Sequence, residues 1–114
     1  MKMKGILINP FKMTVTDVEI GRKLEDVYNI LTTPEIGVVS MIERVQIKND
    51  QDLWLDEEGL FKAHQSKFGF TPLGFNIFSG CAILLGSTED LTEWDDTKLS
   101  IREVYDCMMW EKKR

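Results

Sequence analysis

The residues able to do chemistry in this chain are few, and they do not form a catalytic set. His64 is the one histidine. A nucleophile triad or a histidine-based zinc site needs partners for that imidazole which the sequence does not supply. H-E-x-x-H, paired C-x-x-C, the phosphate-binding G-x-x-x-x-G-K-[ST] and G-x-G-x-x-G are all missing from it. Cys81 lies in an apolar run and Cys107 in a helical stretch, so the two read as reduced thiols. Asp56, Glu57 and Glu58 lack the alternating oxygen spacing of a calcium loop, and a solvated turn explains them. Charge at a helix N-terminus explains Asp95 and Asp96. The expectation is a protein with no catalytic residues, no metal and no cofactor.

One absence is more informative. From Gly59 to Thr88 the sequence has no Asp or Glu, in a chain otherwise rich in them. That window holds Lys62, His64, Gln65 and Lys67, with Phe61, Phe68, Phe70 and Phe75. Cations and amides can hold a phosphate, and aromatic faces can stack a base. Lys62, His64, Lys67, Phe68 and Phe70 are therefore the candidate ligand-binding residues, with Asn9 and Trp54 joining from neighbouring strands. The plainer alternative is that the phenylalanines are core and the lysines solvated.

The elements that must position these residues follow from periodicity. Residues 52–62 read as a central hairpin, with Trp54 between Leu53 and Leu55, an acidic turn, then Leu60 and Phe61. The Asp56 carboxylate suits the turn start, where it accepts a backbone N–H. Gly59 suits a left-handed position closing the turn. Residues 5–8 and 13–20 read as strands, and residues 38–47 as a half-buried strand bent midway. Residues 49–52 turn the chain towards Trp54. Residues 75–85 read as one central strand buried on both faces, with Gly80 marking a bulge or a close backbone approach. Leu24, Val27, Tyr28 and Leu31 fall at i, i+3, i+4 and i+7 and define one helix. Ser100 to Glu103 form a capping box for a last helix burying Ile101, Val104, Tyr105 and Met108. The expected fold is α+β: an antiparallel sheet of about five to six strands with two helices packed on it, in one domain over residues 1–114.

Composition narrows the partners. Of the 114 residues 43% are hydrophobic and 29% charged, as in ordinary globular domains, and the net charge is −5. An acidic chain without a basic face is a poor direct binder of nucleic acid or anionic membranes. No apolar run nears the ~20 residues that span a bilayer. Lys2 and Lys4 precede only a short apolar run, which is no secretory signal. The expected compartment is the cytoplasm.

The layout resembles a family of small, functionally uncharacterised proteins of phages, prophages and plasmids. The resemblance rests on the opening strand Lys4-Gly5-Ile6-Leu7-Ile8-Asn9-Pro10 and the helix Leu24-Glu25-Asp26-Val27-Tyr28-Asn29-Ile30-Leu31. It extends to Ile42-Glu43-Arg44-Val45, the tip Glu57-Glu58-Gly59, and the late strand from Ile77 to Gly86. It covers roughly residues 4 to 86 and implies a fold more than an activity. It also implies mobile-element origin, hence a host-cell cytoplasm, where small accessory proteins often counter host defences. The expected function is a non-enzymatic accessory protein that sequesters a small anionic ligand such as a nucleotide immune signal. The alternative is an inhibitor that meets a host protein through its acidic surface. Met108, Met109 and Trp110 in succession exceed what one helix face can hide, which points to a homo-oligomer.

Overall fold

The computed structural model describes residues 2–35, 37–48, 50–59, 66–74, 76–88 and 93–111. The chain opens with a hairpin of β1 (Lys2–Asn9) and β2 (Thr14–Gly21), paired in full register. The Asn9 carboxamide closes its turn by accepting from Phe11 N at 3.0 Å and Lys12 N at 3.2 Å. Helix α1 (Leu24–Leu31) follows, and Thr32 ends it by bonding back to the Tyr28 carbonyl. Strands β3 (Ile42–Lys48) and β4 (Gln51–Asp56) form a second hairpin, with a bulge between Gln46 and Lys48. Then come β5 (Lys67–Phe70), a 3-10 turn (Thr71–Leu73), β6 (Ile77–Ser79) and β7 (Ala82–Ser87). The short β8 (Trp94–Asp95), helix α2 (Ile101–Asp106) and β9 (Met108–Trp110) complete the described chain.

The fold is α+β. A six-stranded antiparallel sheet runs in the order β2-β1-β7-β4-β3, with β8 paired to β7, and a three-stranded sheet runs β6-β5-β9. Strand β7 is the centre of the large sheet, and Ala82 to Leu85 are all fully buried. Its near-continuous apolar run has the physical reason expected of a strand covered on both sides. Strand alternation sends Ile6, Ile8, Leu53, Leu55, Ala82 and Leu84 to one face, against Phe68, Phe70 and Phe78 of the small sheet and Val104 of α2. Met3, Ile20, Ile83 and Leu85 face the other way, against Val27 and Leu31 of α1. The two helices therefore lie on opposite faces of the large sheet.

Several local expectations change. Both edges of β4 are taken, by β3 and by β7. Trp54 thus belongs to a strand inside a sheet, not to one arm of a hairpin over residues 52–62; residues 60–62 lie outside the described chain. Asp56 does accept the Glu58 N–H, at 2.9 Å. Gly59, however, is not among the residues with positive φ. It is required for closeness: a Cβ there would stand 2.7 Å from the Ser79 carbonyl oxygen. The expected single strand over residues 75–85 is broken at Gly80, whose φ of 81° lets the chain leave the small sheet and enter the large one. The strand expected over residues 38–47 begins at Ile42. The capping box forms, with Glu103 N donating to Ser100 Oγ at 3.1 Å and Ser100 N to Glu103 Oε1 at 3.2 Å. The helix it starts stops at Asp106, leaving Ile101 and Tyr105 exposed and Val104 as its one buried residue. Met108, Met109 and Trp110 pair with β5 instead, so alternation turns Met108 and Trp110 inward and Met109 outward. Pairing with β5 overrides the helical spacing, and the helix-based argument for an oligomer loses its ground.

Candidate ligand-binding cleft

Of the residues singled out from the sequence, Lys67 and Phe68 line one groove and Trp54 another. Lys62 and His64 lie outside the described residues. Phe68 and Phe70 are 1% and 2% exposed and packed in the core, so neither offers a ring face to a ligand. Phe68 stands 5.5 Å from Phe78, centroid to centroid. Asn9 is occupied by its own turn. Lys67 lies half-buried on β5, beside an apolar groove that Phe68, Ile77, Met109 and Trp110 also line. Trp54 packs on the α1 side of the large sheet, opposite the phenylalanines. The described part of the acid-free window is mainly core, because β5, β6 and β7 need apolar residues on buried faces.

Trp54 instead lies in a different cleft, of about 490 Å³, lined by Arg22, Arg44, Asp52, Trp54, Ser87, Glu93 and Trp94. That volume falls within the usual range for small-molecule sites. Strand register builds one wall. Arg44 of β3 stands opposite Trp54 of β4, and Asp52 lies two residues from Trp54 on the same face. Asp52 and Trp54 are in turn opposite Leu85 and Ile83 of β7. β8 brings the other wall, because Trp94 pairs with Ser87 at the far end of β7. Arg22, just past β2, reaches across to it: its Nη1 donates to the Trp94 carbonyl at 2.7 Å, and its Nη2 stands 4.0 Å from Asp95 Oδ1.

The two indoles meet edge to face, 5.5 Å apart and at 88°. Asp52 is 2% exposed. Its charged partner is Arg44, whose Nε stands 3.6 Å from Oδ1, longer than a good hydrogen bond. Burial pushes the Asp52 carboxyl above the usual carboxylate range; the Arg44 charge opposes that shift, and the Asp50 charge adds to it. Two further polar atoms of these residues, Trp54 Nε1 and Ser87 Oγ, are buried with no hydrogen-bond partner among the described residues. An orphaned donor of this kind costs about 1–3 kcal/mol. Half-exposed guanidinium groups, aromatic surface, a poorly paired carboxylate and orphaned donors thus meet in one concavity. Such a set can hold an anion through the arginines and a flat ring against the tryptophans.

Sequence reasoning chose Trp54 but missed both arginines. The signal for Arg44 lay in the turn at residues 49–52, since a hairpin closed there places Arg44 across from Trp54. Arg22 had no local signal, because Trp94 reaches it only through the strand order of the sheet. Among the described residues no three His, Cys, Asp or Glu side chains gather to hold a metal, and no helix is long and apolar enough to cross a membrane. The chain matches no family model, and no curated protein or solved structure matches it significantly.

Proposed function

We propose that the protein binds a small anionic ligand carrying a flat ring, of the nucleotide class, in the cleft between Arg22, Arg44, Trp54 and Trp94. The observation that carries this reading is the convergence of two guanidinium groups and two indoles on one concavity of ligand size. Guanidinium groups pair with phosphate oxygens in a fork geometry, and indole faces stack heterocycles. The protein holds this ligand without transforming it. The resemblance to small accessory proteins of mobile elements supports sequestration of a nucleotide signal in a host cytoplasm as the biological role.

The test is a thermal-shift screen against nucleoside monophosphates and cyclic dinucleotides, with chromatography of the recovered nucleotide. A ligand at a hundredfold excess over its dissociation constant stabilises the fold by about 2.7 kcal/mol. The expected result is a raised melting temperature with the nucleotide recovered intact, and loss of that rise in the Arg22→Gln/Arg44→Gln double variant. A rise that survives in the double variant would move the ligand elsewhere. A flat screen would sink the nucleotide reading.

A further inference from the structure

We infer that the cleft takes its anion as a phosphodiester, with a single negative charge, in preference to a phosphomonoester or polyphosphate end; this rests on the nucleotide reading above. Hydrogen-bond donors are plentiful at the cleft surface. The side chains of Arg22 and Arg44 are 39% and 38% exposed, so a ligand can reach both guanidinium groups. Each commits only part of its fork within the protein: Arg22 Nη1 to the Trp94 carbonyl, and Arg44 Nε towards Asp52. A guanidinium has about five N–H donors, which leaves the rest for a ligand. Positive charge is scarcer. Arg44 faces the Asp52 carboxylate at 3.6 Å, and Arg22 faces that of Asp95 at 4.0 Å. Glu93, which is exposed, brings another carboxylate to the same walls. Among the described residues that line the cleft, no lysine and no further arginine offsets these acids. The cleft therefore offers donors to an anion without a net positive field. A phosphodiester suits that balance. It keeps the pair of unesterified oxygens that a guanidinium fork engages, and it brings the least charge. A phosphomonoester carries about −1.5 to −2 at neutral pH, and its extra charge falls among the carboxylates with no unpaired cation to meet it. At about 4 Å from one carboxylate in water, that extra charge weakens binding by roughly fivefold.

The test is isothermal titration of the intact chain at neutral pH with AMP, GMP and UMP, each beside its 5′-methyl phosphodiester and its triphosphate. The methyl ester keeps the base and the ribose and removes only the second charge of the phosphate. In each series that binds, the expected order places the methyl phosphodiester first, the monophosphate weaker by about fivefold and the triphosphate weaker still. Glu93→Gln, its fold verified by circular dichroism, removes one carboxylate and should strengthen the monophosphate more than the diester, so that the gap narrows. A monophosphate or triphosphate that binds as tightly as the diester, or a gap that Glu93→Gln leaves unchanged, would overturn the inference and leave nucleotide binding standing. Absence of binding by every probe would overturn both.

Discussion

Gln51 offers the sharpest test of how the fold is held. It is 2% exposed and sits at the start of β4, beside the segment that leads from β8 to α2. Its Oε1 accepts from Thr97 Oγ1 at 2.7 Å and from Lys98 N at 3.1 Å, and its Nε2 donates to the Asp50 carbonyl at 2.8 Å. Thr97 N in turn donates to the Lys4 carbonyl at 2.9 Å, so one buried carboxamide fastens β4 to a segment that also grips β1. Gln51→Met keeps the volume and removes all three bonds. A net hydrogen bond contributes about 1 kcal/mol, and stranded buried partners add to the loss, so roughly 3 kcal/mol of stability should go. With an unfolding entropy of about 2.1 cal/mol/K per residue over 114 residues, that is a fall of about 12 °C in melting temperature. Urea unfolding followed by tryptophan fluorescence measures it, with a lower midpoint at an unchanged slope. Thr97→Val and the double variant complete a cycle whose coupling should reach at least about 0.5 kcal/mol. A loss below about 0.5 kcal/mol for Gln51→Met, or strict additivity in the cycle, would refute the idea that this carboxamide is a structural tie.

Three further outcomes follow from burial. Leu84 is fully buried in the core between the two sheets, so Leu84→Ala should cost about 3 kcal/mol in urea unfolding; a cost under about 1 kcal/mol would mean that core is loosely packed. The raised Asp52 carboxyl means the folded chain holds that proton more tightly than the unfolded one, so Asp52 stabilises least above its folded-state value and its penalty fades as the pH falls towards the ordinary range. Asp52→Asn should therefore unfold at higher urea than the parent at pH 7, with a smaller gap at pH 4; a less stable variant at pH 7 would show that the Arg44 pair outweighs desolvation. Burial pushes the Cys81 thiol up to about 12, so maleimide in native buffer should label Cys107 alone, and Cys81 only in denaturant; labelling of both thiols without denaturant would contradict its burial.

What could be read from the sequence was what local spacing decides. Val27 and Leu31, four residues apart, do form the buried stripe of α1, and Ser100 with Glu103 does cap α2. The apolar run at residues 82–85 does lie centrally, buried on both faces. The failures share a cause in pairing across the chain. Met108 to Trp110 fit a helix until β5 is known to lie beside them. Residues 52–62 fit a hairpin until β7 is known to occupy the second edge of β4. The phenylalanines at 68 and 70 looked like stacking surfaces because nothing local says that a second sheet presses them against the first. The cleft follows the same pattern: Arg44 and Trp54 come from one hairpin, whereas Arg22 and Trp94 meet only once the large sheet is complete.

That β7 lies between the two early hairpins also governs when the molecule can fold. The β1–β2 and β3–β4 pairs join residues close in sequence, yet in the strand order each reaches the other only through β7. As the chain leaves the ribosome, both hairpins emerge before their shared neighbour has been made. Each waits with its β7-facing edge open and apolar residues bare on both faces, which is the condition under which nascent chains stick to one another. Loop closure to bring Ile6 against Leu84 comes late, so the rate-limiting event should be insertion of β7 between two preformed halves. A chain cut short before residue 82 would then leave two hairpins with nothing to join them.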